Sequence, residues 1–149
     1  QSKRGKMDLI FQNKIALVTG AAGPMGSAVV GNLISQGCTV AMIDINAEGL
    51  GKNADEFGEK ALPFAADIKE YEVVKATCAQ IEQKLGGVDI LVNNAGVGVG
   101  GAFLDGSLDD WTWLRSINLD GVVHGCRVFG SAMVERGRGH GVNIASGAG

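Results

Sequence analysis

Apolar positions along this chain follow two patterns. Short runs that are apolar almost throughout cover residues 14–19, 39–44, 61–66, 88–92 and 142–145, and they predict buried strands. Amphipathic or charged segments between them predict helices over residues 27–37, 46–60, 71–85 and 107–136. Strands without polar alternation, separated by helices, are typical of a parallel sheet covered on both faces.

The order of these elements predicts an α/β fold, namely a doubly wound parallel sheet of the Rossmann type. We expect residues 1–12 to form a lead and residues 13–149 to form one partial nucleotide-binding domain. The chain stops directly after the fifth predicted strand, so the sheet is expected to be incomplete on its C-terminal side. Ser107 and Asp110 form a capping-box pattern at the start of the last helix.

Glycine is the outlier of the composition, with 24 glycines among 149 residues. Several lie in the turn from Gly20 to Gly26, between the first strand and the first helix. Strand, glycine-rich turn and helix are the arrangement that presents backbone N–H groups to a pyrophosphate. Asp44 ends the second strand, where an acidic residue accepts hydrogen bonds from a ribose hydroxyl. A carboxylate there repels a 2′-phosphate, so we expect NAD rather than NADP.

Four motifs in order resemble the short-chain dehydrogenase/reductase family of the classical type. They are TGAAGPMG at residues 19–26, NNAG at 93–96, SINLDG at 116–121 and NIAS at 143–146. The resemblance covers about residues 12 to 149. It implies an NAD-dependent oxidoreductase that moves a hydride between nicotinamide and a carbonyl or secondary alcohol.

The resemblance also implies residue roles. Asn118 would hold a water in a proton relay, and Ser146 would orient and polarise the substrate oxygen. Asn93 would brace the sheet. The residues implied to contact the coenzyme are Gly20, Gly23, Met25 and Gly26 at the pyrophosphate turn, Asp44 at the ribose, Asp67 and Ile68 at the adenine, and Asn94, Ala95 and Gly96 along the coenzyme.

Other interpretations of these residues remain open. Asn118 could be a polar residue that packs within its helix and is satisfied by backbone, and Asp67 could cap the following helix. The chain could be a non-catalytic NAD-binding module. An S-adenosylmethionine-dependent methyltransferase also places glycines after strand one and an acid after strand two, but NNAG and the pair Asn118 and Ser146 argue against it.

Pro24 departs from the family pattern, because it stands where the middle glycine of TGxxxGxG is expected. Proline has no N–H to offer a phosphate, although it suits the first turn of a helix. We expect coenzyme binding to survive this change.

Tyr71 and Lys75 have the Tyr-x-x-x-Lys spacing of the family's acid/base pair, but they precede the NNAG strand. The family's pair follows the catalytic serine, which here would place it beyond Gly149. We therefore interpret the spacing as a coincidence, with Tyr71 on a buried helical stripe and Lys75 in solvent. The 149 residues would then hold only the coenzyme half of the site and show no turnover.

Charge and cysteine usage narrow the function classes. The net charge of −3 and the absence of a basic patch argue against nucleic acid binding. Three cysteines far apart predict buried reduced thiols in a cytoplasmic protein. His124 and His140 lack metal-ligand spacing, so no metal is expected, and no apolar run predicts a membrane span. The expected partners are a small-molecule substrate and, in a full-length form, further copies of the chain.

Overall fold

The computed structural model describes residues 9–147, which form a layered α/β unit. Its strands are β1 (Ile15–Thr19), β2 (Thr39–Asp44), β3 (Ala61–Ala65), β4 (Ile90–Asn93) and β5 (His140–Asn143). Its helices are α1 (Pro24–Ser35), α2 (Ala47–Phe57), α3 (Tyr71–Leu85), α4 (Leu108–Arg115) and α5 (Gly121–Arg136). Short 3₁₀ turns cover Gly58–Lys60 and Phe103–Asp105.

The five strands form one sheet in the order β3-β2-β1-β4-β5, and every neighbouring pair is parallel. The predicted doubly wound sheet is therefore confirmed. The strand order reverses between β1 and β4, and in open α/β sheets ligands bind beyond the carboxyl ends of the strands at such a point.

Burial on both faces explains why the strands are apolar throughout. Leu17 of β1 packs in a cluster with residues of α3 and α5, among them Ile81 and Phe129. Its neighbours Ala16 and Val18 pack in a second cluster with residues of α1 and α2. Successive side chains of a strand point to opposite faces, so a sheet between two helical layers needs an apolar residue at each position.

The last predicted helix is not continuous. A π-helical turn, Ser116–Asp120, separates α4 from α5, although the capping box of Ser107 and Asp110 starts α4 as predicted. Such a turn shifts the phase of the apolar stripe, and a 3.6-residue period cannot register it. The prediction that all three cysteines are buried is wrong for Cys126, which is exposed although Phe129 of the same helix α5 is buried. Its thiol lies beside Asn93 of β4 and Asn143 of β5, the edge strand of the described sheet, so fewer neighbours cover it.

Element ends differ from prediction by a few residues. β4 starts at Ile90 instead of residue 88, and β5 covers His140–Asn143 instead of residues 142–145. Helix α1 starts three positions early because Pro24 fits its first position. The predicted lead lies outside the described residues as far as residue 8, so the domain boundary stays a prediction.

Candidate functional site

A cavity of about 520 Å³ opens at the carboxyl ends of the central strands. All ten residues that the sequence assigned to the coenzyme line it. They are Gly20, Gly23, Met25, Gly26, Asp44, Asp67, Ile68, Asn94, Ala95 and Gly96. Segments at the carboxyl ends of four strands, β1 to β4, are thus brought to one edge of the sheet.

The glycine turn after β1 is packed backbone to backbone. Gly20 has a φ of +66°, and a Cβ at this position would lie 2.8 Å from Ala95 Cα. A Cβ on Gly26 would overlap the carbonyl oxygen of Gly20. Within the described residues, no side chain caps the first turn of α1, and Gly23 is its N-cap. The N-terminus of α1 can therefore present N–H groups to an anion.

Asp44 ends β2 with both carboxylate oxygens engaged. Its Oδ2 accepts from the N–H of Ala22 at 3.1 Å, and its Oδ1 accepts from the N–H of Asn46 at 2.9 Å. Among the described residues lining the cavity, Lys69 is the only cation, and its Nζ lies 3.4 Å from Asp67 Oδ2. The carboxylate of Asp44 is thus held in place without a cation of the lining beside it.

The loop after β4 is tied to the end of β1 through Thr19. Its hydroxyl accepts from the N–H groups of Asn94 and Ala95, both at 3.0 Å, and its carbonyl accepts from Asn94 Nδ2 at 3.0 Å. Asn94 Oδ1 is buried and has no hydrogen-bond partner within the described residues. The Nδ2 of Asn93 donates to Asn143 Oδ1 at 2.8 Å and joins β4 to β5, in line with the sheet-bracing role that the resemblance implied.

Asn118 lies in the π-helical turn and binds the backbone of Val97 twice. Its Nδ2 donates to the Val97 carbonyl and its Oδ1 accepts from the Val97 N–H, both at 2.8 Å. The alternative of a side chain satisfied by backbone describes these bonds, but Asn118 is exposed rather than buried. Ser146 follows the end of β5 and is also exposed.

Trp113 of α4 and Ile117 of the π-helical turn line the same cavity. Neither is among the site residues predicted from the sequence, in which Trp113 is typical of a packing residue. The one available signal was that they are apolar and four positions apart, so that they share a helical face. That signal does not say which loop or cavity the face meets.

Tyr71 and Lys75 lie in a separate groove of about 300 Å³ between α3 and α5. The predicted burial of Tyr71 is wrong, since 37% of its surface is exposed and its ring contacts that of His124. Lys75 is solvent-exposed, as predicted, with its Nζ 3.9 Å from Glu72. The structure thus separates this Tyr-x-x-x-Lys spacing from the cavity.

Residues 9–147 contain no cluster of three or more His, Cys, Asp or Glu side chains arranged to hold a metal ion. They also contain no helix with the length and hydropathy needed to cross a bilayer.

Comparison with known proteins places these features in a family. The family model for short chain dehydrogenases matches residues 14–149. The chain is 37% identical over 142 residues to D-threitol dehydrogenase of Mycolicibacterium smegmatis, which covers 93% of this chain and 55% of that protein. It is 34% identical over 137 residues to meso-2,3-butanediol dehydrogenase of Serratia marcescens, covering 91% and 54%.

Solved structures agree with the sequence comparison. NAD⁺-bound xylitol dehydrogenase superimposes with a TM-score of 0.90 at 33% identity, covering 94% of this chain and 55% of that one. Some matching structures contain NAD and others contain NADP. The chain spans about half of the length of the two curated relatives, 55% and 54%. Because the family model matches nearly the whole of this chain, the chain belongs to the short-chain dehydrogenase family of oxidoreductases.

Proposed function

We propose that the cavity binds NAD and that the protein moves a hydride between nicotinamide and a carbonyl or secondary alcohol of a small molecule. The observation that carries the choice of NAD is the carboxylate of Asp44, fixed by two backbone N–H groups at the end of β2. Family membership supports the reaction class.

The residues of the cavity fit a dinucleotide in shape and in chemistry. Gly20 and Gly26 leave no room for a Cβ. Gly23 is the N-cap of α1, and the N-terminus of this helix would face the pyrophosphate. Asp67 and Ile68 would border the adenine. Met25 would line the pyrophosphate, and Asn94, Ala95 and Gly96 would line the rest of the coenzyme. The buried Asn94 Oδ1 offers an acceptor that a ligand donor would satisfy.

The chain's own residues would arrange the reacting groups. When bound, the nicotinamide supplies or accepts the hydride. Ser146 would donate a hydrogen bond to the substrate oxygen and hold it in place. Asn118 fixes Val97 at the cavity rim, and since an amide oxygen has two lone pairs, Oδ1 keeps one for a water.

The preference for NAD follows from charge. An adenosine ribose with a 2′-phosphate would bring a dianion beside Asp44, and the nearest cation of the lining, Lys69, already pairs with Asp67. We expect NADH to bind at least about tenfold more tightly than NADPH, equivalent to about 1.4 kcal/mol.

The test is a fluorescence titration of the protein with NADH and NADPH. Asp44→Asn removes the negative charge and should narrow the difference between the affinities for NADH and NADPH. Asp55→Asn, on the exposed surface of α2, should leave that difference unchanged. Tighter binding of NADPH by the unaltered protein would refute the proposed preference. Because residues 1–149 by themselves are expected to show no turnover, NADH oxidation with a panel of small ketones and aldehydes tests the reaction class in a form extended past Gly149 that supplies a Tyr-x-x-x-Lys pair. No oxidation by that form would refute the proposed reaction.

A further inference from the structure

The loop between β3 and α3, residues 66–70, forms one wall of the cavity, and we call it the adenine loop. Asp67, Ile68 and Lys69 line the cavity from it. Its internal bonds give it shape, since the Lys69 N–H donates to Asp67 Oδ1 at 3.0 Å and the Glu70 N–H donates to the Asp67 carbonyl at 3.2 Å. These bonds lie within the loop and do not fix its position relative to the other walls of the cavity.

Helix α5 supplies that placement through Ile68. The Nδ1 of His124 lies 2.8 Å from the carbonyl oxygen of Ile68, and because a carbonyl only accepts, Nδ1 carries the proton. The Ile68 side chain lies against Gly121, where an added Cβ would be 2.6 Å from Ile68 Cδ1. Helix α5 thus contacts both the backbone and the side chain of Ile68.

The ring of Tyr71 contacts the imidazole of His124. The two ring centroids are 5.5 Å apart and the planes make an angle of 62°, an edge-to-face contact. Tyr71 is also the first residue of α3, directly after the adenine loop. Tyr71, whose spacing to Lys75 only resembles that of a catalytic pair, therefore packs against the imidazole that contacts the adenine loop.

We propose that His124 is a positioning residue for the adenine end of the coenzyme, with the ring of Tyr71 holding its imidazole in place. The inference rests on the proposed function, because it needs the adenine to bind at Asp67 and Ile68. A loop already held in its binding position loses less conformational freedom when the ligand arrives, and so the ligand binds more tightly.

The experiment compares ligands that contain the adenine half with one that lacks it. NAD and ADP-ribose carry the adenosine, and nicotinamide mononucleotide does not. His124→Leu should weaken NAD and ADP-ribose by about three- to tenfold, the effect of one hydrogen bond. The affinity for nicotinamide mononucleotide should not change. Calorimetric titration measures all three, and circular dichroism confirms that the variant is folded.

A rescue variant separates positioning from general stability. The Nδ2 of an asparagine occupies about the place of histidine Nδ1, so His124→Asn should regain most of the affinity for ADP-ribose. His140→Leu, at the exposed start of β5, is the matched control and should bind all three ligands as the unaltered protein does. Tyr71→Leu, at a partly exposed site that tolerates change, should weaken ADP-ribose by about two- to threefold.

The outcomes distinguish the two levels of the proposal. If the unaltered protein binds NAD but His124→Leu binds ADP-ribose equally well, the positioning role is refuted while the proposed function stands. An equal loss for all three ligands refutes it too, since the effect would then not be confined to the adenine loop. If His124→Leu does not fold, unchanged ADP-ribose affinity in Tyr71→Leu refutes the inference. Failure of the unaltered protein to bind NAD refutes the proposed function and the inference together.

Discussion

The cavity is bordered by two kinds of loop. The turn after β1 is packed mainly backbone to backbone, with Gly26 on Gly20 only six positions away, and the Asp44 carboxylate adds one bond to Ala22. The loop after β3 and the Val97 end of the loop after β4 are held by side chains from the segment 116–136, while Asn94 and Ala95 are tied to Thr19 of β1. His124 contacts Ile68 across 56 positions, and Asn118 contacts Val97 across 21 positions.

This difference separates two ways of placing a ligand. Where the backbone itself approaches the ligand, the requirement is that no side chain intervene, and glycine meets it locally. Where a loop must be held at a distance from its own strand, a donor or acceptor on another element has to reach it. Substitutions in the backbone-packed turn should lower both the stability of the fold and the affinity for the coenzyme. Substitutions of the side chains that hold the other loops should lower mainly the affinity for the coenzyme.

Gly26→Ala should have the largest effect. The new Cβ would overlap the backbone carbonyl of Gly20, which cannot move aside as a side chain can. We expect a loss of about 3 kcal/mol in the free energy of unfolding and no measurable NADH binding. Chemical denaturation and fluorescence titration measure the two.

Gly51→Ala in α2 is the matched control, because no atom lies within 4 Å of its added Cβ. It should stabilise the protein by about 0.5–1 kcal/mol. Equal behaviour of the two alanine variants would contradict the close packing of the glycine turn.

Gly125→Ala tests a side-chain contact outside the cavity. The Cβ would overlap Oδ1 of the buried Asn93, whose amide joins β4 to β5. We expect a loss of about 1–3 kcal/mol, smaller than for Gly26 because a side chain can adjust. On the same helix, Gly130→Ala has open space and should stabilise by up to about 1 kcal/mol. If both variants gain stability in urea denaturation, the predicted overlap is wrong.

Asn118→Ala should act on binding more than on stability. It removes both bonds to Val97 from an exposed side chain, so the rim of the cavity loses its support. NADH affinity should fall about tenfold, with less than about 1 kcal/mol lost in stability. Fluorescence titration and thermal unfolding of one sample decide this, and Asn32→Ala on the exposed surface of α1 serves as control. A variant that loses stability and keeps its affinity would assign Asn118 to packing alone.

Asp89 tests the end of the sheet opposite the cavity. Partial burial raises the pKa of this carboxyl, but hydrogen bonds from the Ile15 N–H and from Arg138 outweigh it and hold the pKa below 3.8. Because the folded pKa is lower than the unfolded one, Asp89 contributes stability above pH about 4 and loses it as the pH falls through the folded pKa.

The effect should be below about 1 kcal/mol, and Asp89→Asn should flatten the acid limb of the stability curve. Urea denaturation between pH 3 and pH 7 measures it, with Asp55→Asn as control. An unchanged acid limb would show that other carboxyls control acid unfolding.

Pro24→Gly should have the smallest effect on the cavity. Proline already fits the first position of α1, and glycine would only add an N–H toward the pyrophosphate. Coenzyme affinity should stay equal or become slightly tighter, while stability falls by about 0.4–1 kcal/mol because the unfolded chain gains freedom. A clear loss of NADH affinity would mean that Pro24 itself shapes the turn.

The pattern of residues along the chain was enough to predict the sheet and the glycine turn and acidic residue at its carboxyl edge. Five apolar runs predicted five parallel strands, because a strand that is buried on both faces does not alternate apolar and polar residues. The glycine turn and Asp44 follow strands directly, so their places came from strand ends alone. The resemblance to the family assigned the other coenzyme residues, and all ten line one cavity because each ends or follows a strand of the same parallel sheet.

Packing between whole elements set which helix meets which loop. It placed Gly121 and His124 of α5 on Ile68, and it left Cys126 exposed beside the edge strand β5. Trp113 of α4 and Ile117 of the π-helical turn line the cavity as well. Periodicity reports one element at a time, whereas these contacts join residues tens of positions apart, and their geometry depends on how complete elements pack.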